Sequence, residues 1–239
     1  MNFAGFARAA LVIVCAAMSR SATAADITFS ATQGGRSAAV RFETAGSDLI
    51  VMLSNTSPED ALVPIDILTG VFFDVTGAPL TLTPMTAIVP AGSFVHNGPT
   101  DPGASVGGEW AYKSNLVGAA ENASYGISSS GLGLFGPSDR FPGADLQSPA
   151  SPDGLQYGIT SMGDNLATGN SPLTSGMNAL IKYEVVFTLS GLPMGFDPAT
   201  QITNVQYQYG TDLQEPHFPE PSSLAMLAIG AFAALSRRR

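Results

Sequence analysis

The stretch ALIKYEVVFTL, at residues 179–189, decides the fold class of this chain. Every second residue is apolar or aromatic, ending with Phe187 and Leu189, whereas Lys182 and Glu184 lie at positions between them. Alternate side chains of a β-strand point to opposite faces of its sheet. The pattern therefore predicts one strand over the whole stretch, with one face buried in a core and the other facing solvent.

Shorter runs with the same alternation are distributed along the chain and are separated by turn residues. They occupy residues 26–31, 38–44, 48–54, 63–68, 70–76 and 202–209. The second and third of these runs flank Gly46, and they predict a β-hairpin. Weaker runs next to Pro84 and Pro90 predict edge strands or loops, because proline lacks the N–H that a central strand donates.

The run at residues 202–209 indicates which of its side chains are buried. Tyr207 and Tyr209 should face the core, and Gln206 and Gln208 should face solvent. No part of the body shows a clean helical period. We therefore predict an all-β fold, an antiparallel and jelly-roll-like β-sandwich of roughly eight to ten strands.

A long segment rich in glycine, proline and serine lies in the middle of the chain, at residues 131–175. A structureless loop of this length is uncommon inside a compact domain. We expect a loop-rich insertion that contains a short strand near residues 155–160 and one or two helical turns. The predicted sandwich body spans residues 25–217.

The N-terminus has the parts of a signal peptide, predicted as a helix over residues 1–24. Arg8 precedes a short apolar run, and Ala22 and Ala24 form an A-x-A cleavage site before Ala25. Cleavage after Ala24 or Ala25 would remove Cys15, the single cysteine of the chain. The mature protein would then have no disulfide and no thiolate metal ligand.

The C-terminal segment, residues 218–239, predicts a short hydrophobic helix with a basic end. The run at residues 224–235 contains only Leu, Ala, Met, Ile, Gly and Phe. As a helix it would cover roughly 18 Å, which is short for a bilayer core of about 30 Å. Arg237, Arg238 and Arg239 follow at once, and they favour the cytoplasmic side of a membrane. These features predict a precursor that is anchored transiently in the inner membrane.

Pro219-Glu220-Pro221, then the apolar segment, then Arg237 to Arg239 follow one another at the C-terminus. This order resembles the PEP-CTERM sorting signal of Gram-negative bacteria. The resemblance implies that an exosortase, a membrane protease or transpeptidase, recognises the signal and processes the chain near these prolines. It also implies delivery to the cell surface or the extracellular polysaccharide matrix.

The charge of the chain is divided unevenly between its parts. All nineteen acidic residues lie between Asp26 and Glu220, together with five of the ten basic residues, so that this part carries a net charge of −14. Such an acidic body is a poor partner for nucleic acid, because phosphate binding requires basic patches. The two basic ends instead predict that the secretion machinery translocates everything between them.

Three kinds of chemistry are possible in the body, and the residues leave all three open. Loop carboxylates could bind Ca²⁺, although the spacing of these residues matches no known calcium loop. They are Asp139, Asp145, Asp153 and Asp164. Trp110 and Tyr112 could form a sugar-stacking platform. Two carboxylates could act in glycoside hydrolysis. No catalytic residue and no metal ligand is predicted with any specificity.

The leading hypothesis is an exported surface or matrix protein that has a structural or interaction role and no catalytic activity. The first alternative is a carbohydrate-binding module that holds matrix polysaccharide near Trp110. The second alternative is a secreted hydrolase with a carboxylate site. The topology of the two ends and the sorting signal apply equally to all three.

Overall fold

A computed structural model describes residues 25–98, 104–144 and 152–219. These residues form thirteen β-strands and two single-turn α-helices. The strands are β1 (Asp26–Gln33), β2 (Arg36–Ala45), β3 (Asp48–Asn55), β4 (Leu68–Val75), β5 (Thr83–Ile88), β6 (Phe94–His96), β7 (Ala111–Ser114), β8 (Tyr125–Ser128), β9 (Ile159–Thr160), β10 (Leu180–Lys182), β11 (Glu184–Ser190), β12 (Ile202–Tyr209) and β13 (His217–Pro219). The helices are α1 (Ser171–Thr174) and α2 (Pro198–Gln201).

The strands form two sheets. The first sheet has the order β1-β2-β3-β11-β5, and the second has the order β13-β12-β4-β9-β10-β6, with β8 paired to β4 and β7 paired to β8. Every strand pair is antiparallel except β9 with β10. The predicted all-β, sandwich-like fold is confirmed. The strands outnumber the predicted eight to ten because several have only two to four residues.

The first three strands form a meander whose turns explain its register. Gly34, Gly35 and Gly46 have φ angles of 58°, 85° and 66°, in the left-handed region that glycine adopts at little cost. The predicted hairpin between β2 and β3 is confirmed, with Ala45 opposite Asp48.

A row of aromatic rings crosses the core from one sheet to the other. Phe29 and Phe42 of the first sheet have ring centroids 6.0 Å apart, and Phe42 lies 5.1 Å from Phe73 of the second sheet. Phe73 then stacks on Tyr125 at 5.5 Å. Rings in these arrangements gain about 0.5–1.5 kcal/mol per pair beyond the burial of their area. The row therefore fixes how the two sheets face each other.

The stretch at residues 179–189 forms two strands, so the prediction of a single strand was wrong. Tyr183 has a φ of 85°, and the chain bends there from β10 in the second sheet to β11 in the first. The backbone stays paired through the bend: Tyr183 N–H donates to Thr160 O at 3.3 Å, and Asn55 N–H donates to Tyr183 O at 2.9 Å. One alternating run therefore supplies both sheets and joins them at a corner.

The loop-rich insertion has the elements expected of it. A strand, β9, lies at Ile159–Thr160 and a helical turn, α1, at Ser171–Thr174. The proline-flanked run became β5, at the edge of the first sheet, as predicted.

The outer face of β12 differs from the prediction. Gln206 is 2% exposed and Gln208 is fully buried, because the second sheet is covered on that side as well. A small apolar cluster that includes Phe72, Leu116 and Phe135 packs there. The Gln208 side chain donates to Tyr209 O at 2.8 Å and to Asp212 O at 3.0 Å, which satisfies its buried amide N–H groups.

Candidate functional site

The C-terminal end of the described chain is part of the second sheet. In β13, His217, Phe218 and Pro219 lie opposite Gln208, Tyr207 and Gln206 of β12. Phe218 is 2% exposed. The centroid of its ring lies 5.4 Å from that of Tyr209 and 5.8 Å from that of Tyr207. The sheet therefore holds Phe218 and Pro219, two residues past the predicted end of the body at residue 217.

Two further contacts hold this end in place. Tyr209 N–H donates to Pro216 O at 3.0 Å, just before β13 begins. His217 Nε2 lies 3.8 Å from Glu121 Oε1, in a contact between a partly exposed histidine and an exposed glutamate. Of the predicted sorting residues, Pro219 is described, whereas Glu220, Pro221 and Arg237 to Arg239 lie outside the described residues. The predicted C-terminal hydrophobic helix lies outside them too.

Ala25 is the first described residue, and it is anchored to β2. Its N–H donates to Thr44 Oγ1 at 3.1 Å, and its carbonyl accepts from Thr44 N–H at 3.0 Å. Ala22, Ala24 and the predicted signal helix lie outside the described residues. Cleavage after Ala24, which stays a prediction, would leave an N-terminal residue that is already fixed to the sheet.

The structure does not place Trp110 and Tyr112 on a surface, and the prediction of a sugar contact there was wrong. Trp110 is fully buried, with its ring centroid 4.9 Å from that of Phe187, and Tyr112 is 4% exposed. Burial raises the pKa of the Tyr112 hydroxyl far above its ordinary value. A ring can stack on a sugar only if its face is open, so this pair belongs to the core.

Gly107 explains why Trp110 is covered. A Cβ at this glycine would lie 2.0 Å from Pro142 O, so that only glycine lets this segment approach so closely. The neighbouring Phe141 donates its N–H to Trp110 O at 2.9 Å and packs on Phe187 with ring centroids 5.3 Å apart. The segment therefore closes over the tryptophan.

The loop acids proposed as calcium ligands are not gathered together. Asp139 accepts from Lys113 Nζ at 3.0 Å and from Gly136 N–H at 2.7 Å, and Asp153 is exposed. Asp145 lies outside the described residues. Within the described ranges, no group of three or more His, Cys, Asp or Glu side chains could hold a metal ion.

One carboxyl pair was missed by the sequence analysis. The side chains of Asp60 and Asp164 lie within hydrogen-bonding reach of each other, and Asp164 is 6% exposed. Asp164 Oδ1 also accepts from Ala61 N–H at 3.1 Å, and Asp60 Oδ1 accepts from Asn165 N–H at 2.9 Å. Thr168 Oγ1 donates to Asp60 Oδ2. The pair therefore fastens the insertion to the loop that follows β3.

The two carboxyls of this pair titrate differently. Burial, and next the hydrogen bond that protonated Asp164 donates to Asp60, raise the pKa of Asp164 from 3.8 to about 6. The hydrogen bond from Thr168 is the main cause that lowers the pKa of Asp60. Lys182 Nζ is near, but it donates to the backbone carbonyl of Asp164 at 2.7 Å. The arrangement suits one proton shared between two carboxyl groups.

Neither carboxyl of the pair lines any of the four surface pockets described by the structure. The widest of these, about 760 Å³, lies at the end of the first sheet, between the β2–β3 turn and residues 192–196. Glu43 is the sole carboxylate side chain among the described residues that line it.

His96 lies in β6, where burial lowers its pKa to about 4, so that it is neutral at pH 7.

The described part of the chain is a sandwich-like β body, and its last strand, β13, leads directly into the C-terminal tail. The family model described as the PEP-CTERM protein-sorting motif matches residues 219–239. The chain thus carries this motif, which begins at the last residue of β13. The motif implies an exported, cell-surface-directed protein with an exosortase as its processing partner.

The body itself has no such match. No curated protein and no solved structure matches the chain. In the part of the chain that the structure describes, no helix is both long enough and apolar enough to cross a membrane.

Proposed function

We propose that this chain is a structural or interaction protein of the cell surface or extracellular matrix, without catalytic activity. The secretion machinery exports it, and the C-terminal segment anchors the precursor transiently in the inner membrane. An exosortase then processes it near Pro219, and the body is delivered to extracellular polysaccharide, as in a biofilm. The observation that carries the proposal is the sorting motif at residues 219–239.

The features of the body support this role in two ways. Its net charge of −14 between Asp26 and Glu220 favours solubility outside the cell. Its core is formed by close-packed side chains from both sheets, which stabilise it without a disulfide.

The carbohydrate-binding alternative has no sugar-stacking surface at Trp110, because this side chain is buried. The hydrolase alternative is not favoured by the Asp60–Asp164 pair, since backbone N–H groups occupy both carboxyls.

The mass of the protein extracted from the surface of its native cells tests this proposal. We expect a mature chain that begins at Ala25 or Asp26 and ends near Pro219. Replacing Arg237, Arg238 and Arg239 together by glutamine should leave the tail attached, because the basic end no longer holds it at the cytoplasmic face. Arg41→Gln, at a partly exposed position of β2, should be processed like the wild type. A wild-type surface protein that keeps residues 224–239 would contradict the proposal.

A further inference from the structure

The start of the sorting motif is bound within the folded body. Pro219 is the first residue of the motif and the last residue of β13. β13 has three residues, lies at the end of the second sheet, and pairs with β12 on its one neighbouring side. Among its three side chains, Phe218 is the buried one, packed on Tyr207 and Tyr209. A short edge strand with one buried anchor is the kind of element that opens locally at low free energy.

The loop before β13 limits how far that opening extends. Glu215 Oε2 accepts from Asp212 N–H at 3.0 Å, and Asp212 Oδ1 accepts from Gln214 N–H at 2.7 Å. Glu215 N–H in turn donates to Asp212 O at 3.0 Å. Because this loop is held by its own hydrogen bonds, β13 can leave the sheet while β12 stays paired with β4.

A docked β13 and a bound processing enzyme compete for the same backbone. Enzymes and other proteins that bind an extended peptide do so mainly through its main-chain groups. In the folded body, the residues that precede the processing position lie against β12 instead, with Phe218 in the core. Both sets of contacts cannot form at once, and no spacer separates β13 from the motif.

We propose that β13 is a detachable strand which controls processing, so that the enzyme acts only on chains in which His217–Pro219 has left the second sheet. This inference rests on the proposed function, because it concerns the same processing step. When the opening is fast, the rate of proteolysis follows the population of the open form. The stability of β13 docking therefore sets the rate at which the tail is removed.

A cross-link across the pair tests the proposal directly. His217 and Gln208 lie directly opposite each other, and residues 25–239 contain no cysteine. The double variant Gln208→Cys/His217→Cys is expressed in cells that process the wild type. Once its two cysteines have formed a disulfide, it should lose its tail at least about tenfold more slowly than the wild type does. A reductant in the medium should restore the rate. The two single-cysteine variants report any effect of the substitutions themselves.

A weakened anchor should have the opposite effect. Phe218→Ala should raise the processing rate about tenfold, because it removes the side chain that holds β13 in the core. Phe141→Ala is the matched control, since Phe141 is also 2% exposed but packs on Phe187 of the first sheet. It should change the processing rate less than about twofold if the body remains folded, which circular dichroism checks.

The outcomes separate this inference from the function on which it rests. A wild-type chain that keeps its tail contradicts the proposed function. A wild-type chain that loses its tail, together with an oxidised double variant that loses it equally fast, overturns the control by β13 and leaves the proposed function intact. The cross-linked variant keeps the test decisive even if Phe218→Ala fails to fold.

Discussion

Replacing Trp110 by alanine should destabilise the body by about 3–5 kcal/mol, the usual cost of deleting a buried aromatic side chain. Trp110 is fully buried, and its ring lies against Phe187 at the centre of the core. Small domains have about 5–15 kcal/mol of stability in total, so the variant should lose a large share of it. Urea unfolding followed by far-ultraviolet circular dichroism measures the loss, because the variant has no tryptophan left to report by fluorescence.

Val117→Ala provides the control for this prediction. Val117 is 87% exposed, and its truncation should change the free energy of unfolding by less than about 0.5 kcal/mol. A tryptophan in the core and a tryptophan at a sugar-binding surface predict different results for the Trp110→Ala variant. A sugar-stacking tryptophan at the surface would give a variant of wild-type stability that fails to bind glycan. A Trp110→Ala variant with an unchanged unfolding midpoint would therefore contradict its place in the core.

The β-meander at the start of the body could be predicted because its signals are local. Alternating side chains define the strands, and glycines at the turns allow the backbone angles that hairpins require. The run at residues 179–189 shows where this reasoning stops. Alternation reports which residues are buried, but it does not report which sheet buries them. A bend at Tyr183 with positive φ has no sequence signal, because tyrosine rarely adopts that conformation.

The errors at Gln206 and Gln208 have one physical cause. A period of two assigns residues to opposite faces, and we assumed that one face was wet. The second sheet is covered on both sides, partly by residues 115–135, so that glutamines at alternating positions are buried as well. Such coverage depends on contacts between distant segments. The carboxyl pair is another example, because Asp60 and Asp164 meet only when the insertion folds back on the loop after β3.

The sorting tail was predictable for the opposite reason. Its recognition depends on the order of short elements along the chain, from Pro219 to Arg239, and it needs no tertiary contact. What sequence order could not reveal is that the sheet reaches into the motif. The structure shows that β13 contains both Phe218 of the body and Pro219, the first residue of the sorting motif.

Asp164→Asn should make the body more stable at pH 7 and should flatten its pH dependence between about pH 4 and pH 6. In the folded protein the pKa of Asp164 is raised from 3.8 to about 6, so the folded state binds a proton more tightly than the unfolded state. The stabilisation from that proton is complete below about pH 4 and is lost as the pH rises through about 6. The wild type should thus become less stable from pH 4 to pH 7.

The asparagine imitates the protonated acid. Its carbonyl oxygen can accept from Ala61 N–H as Asp164 Oδ1 does, and its amide N–H can donate to Asp60. A full shift of two pKa units corresponds to roughly 2.7 kcal/mol. Water near this surface loop screens part of the interaction, so we expect a gain of about 1–2 kcal/mol at pH 7.

The free energy of unfolding, measured in urea at intervals between pH 4 and pH 7, gives both the size and the slope of this effect. Asp153→Asn is the matched control, because it removes the same charge from an exposed position of the same insertion. Its free energy of unfolding should change with pH as steeply as that of the wild type. A variant Asp164→Asn that is less stable than the wild type at pH 7, or that retains the full decline, would mean that folding does not raise the pKa of Asp164. The shared proton would then not be what joins the insertion to the loop after β3.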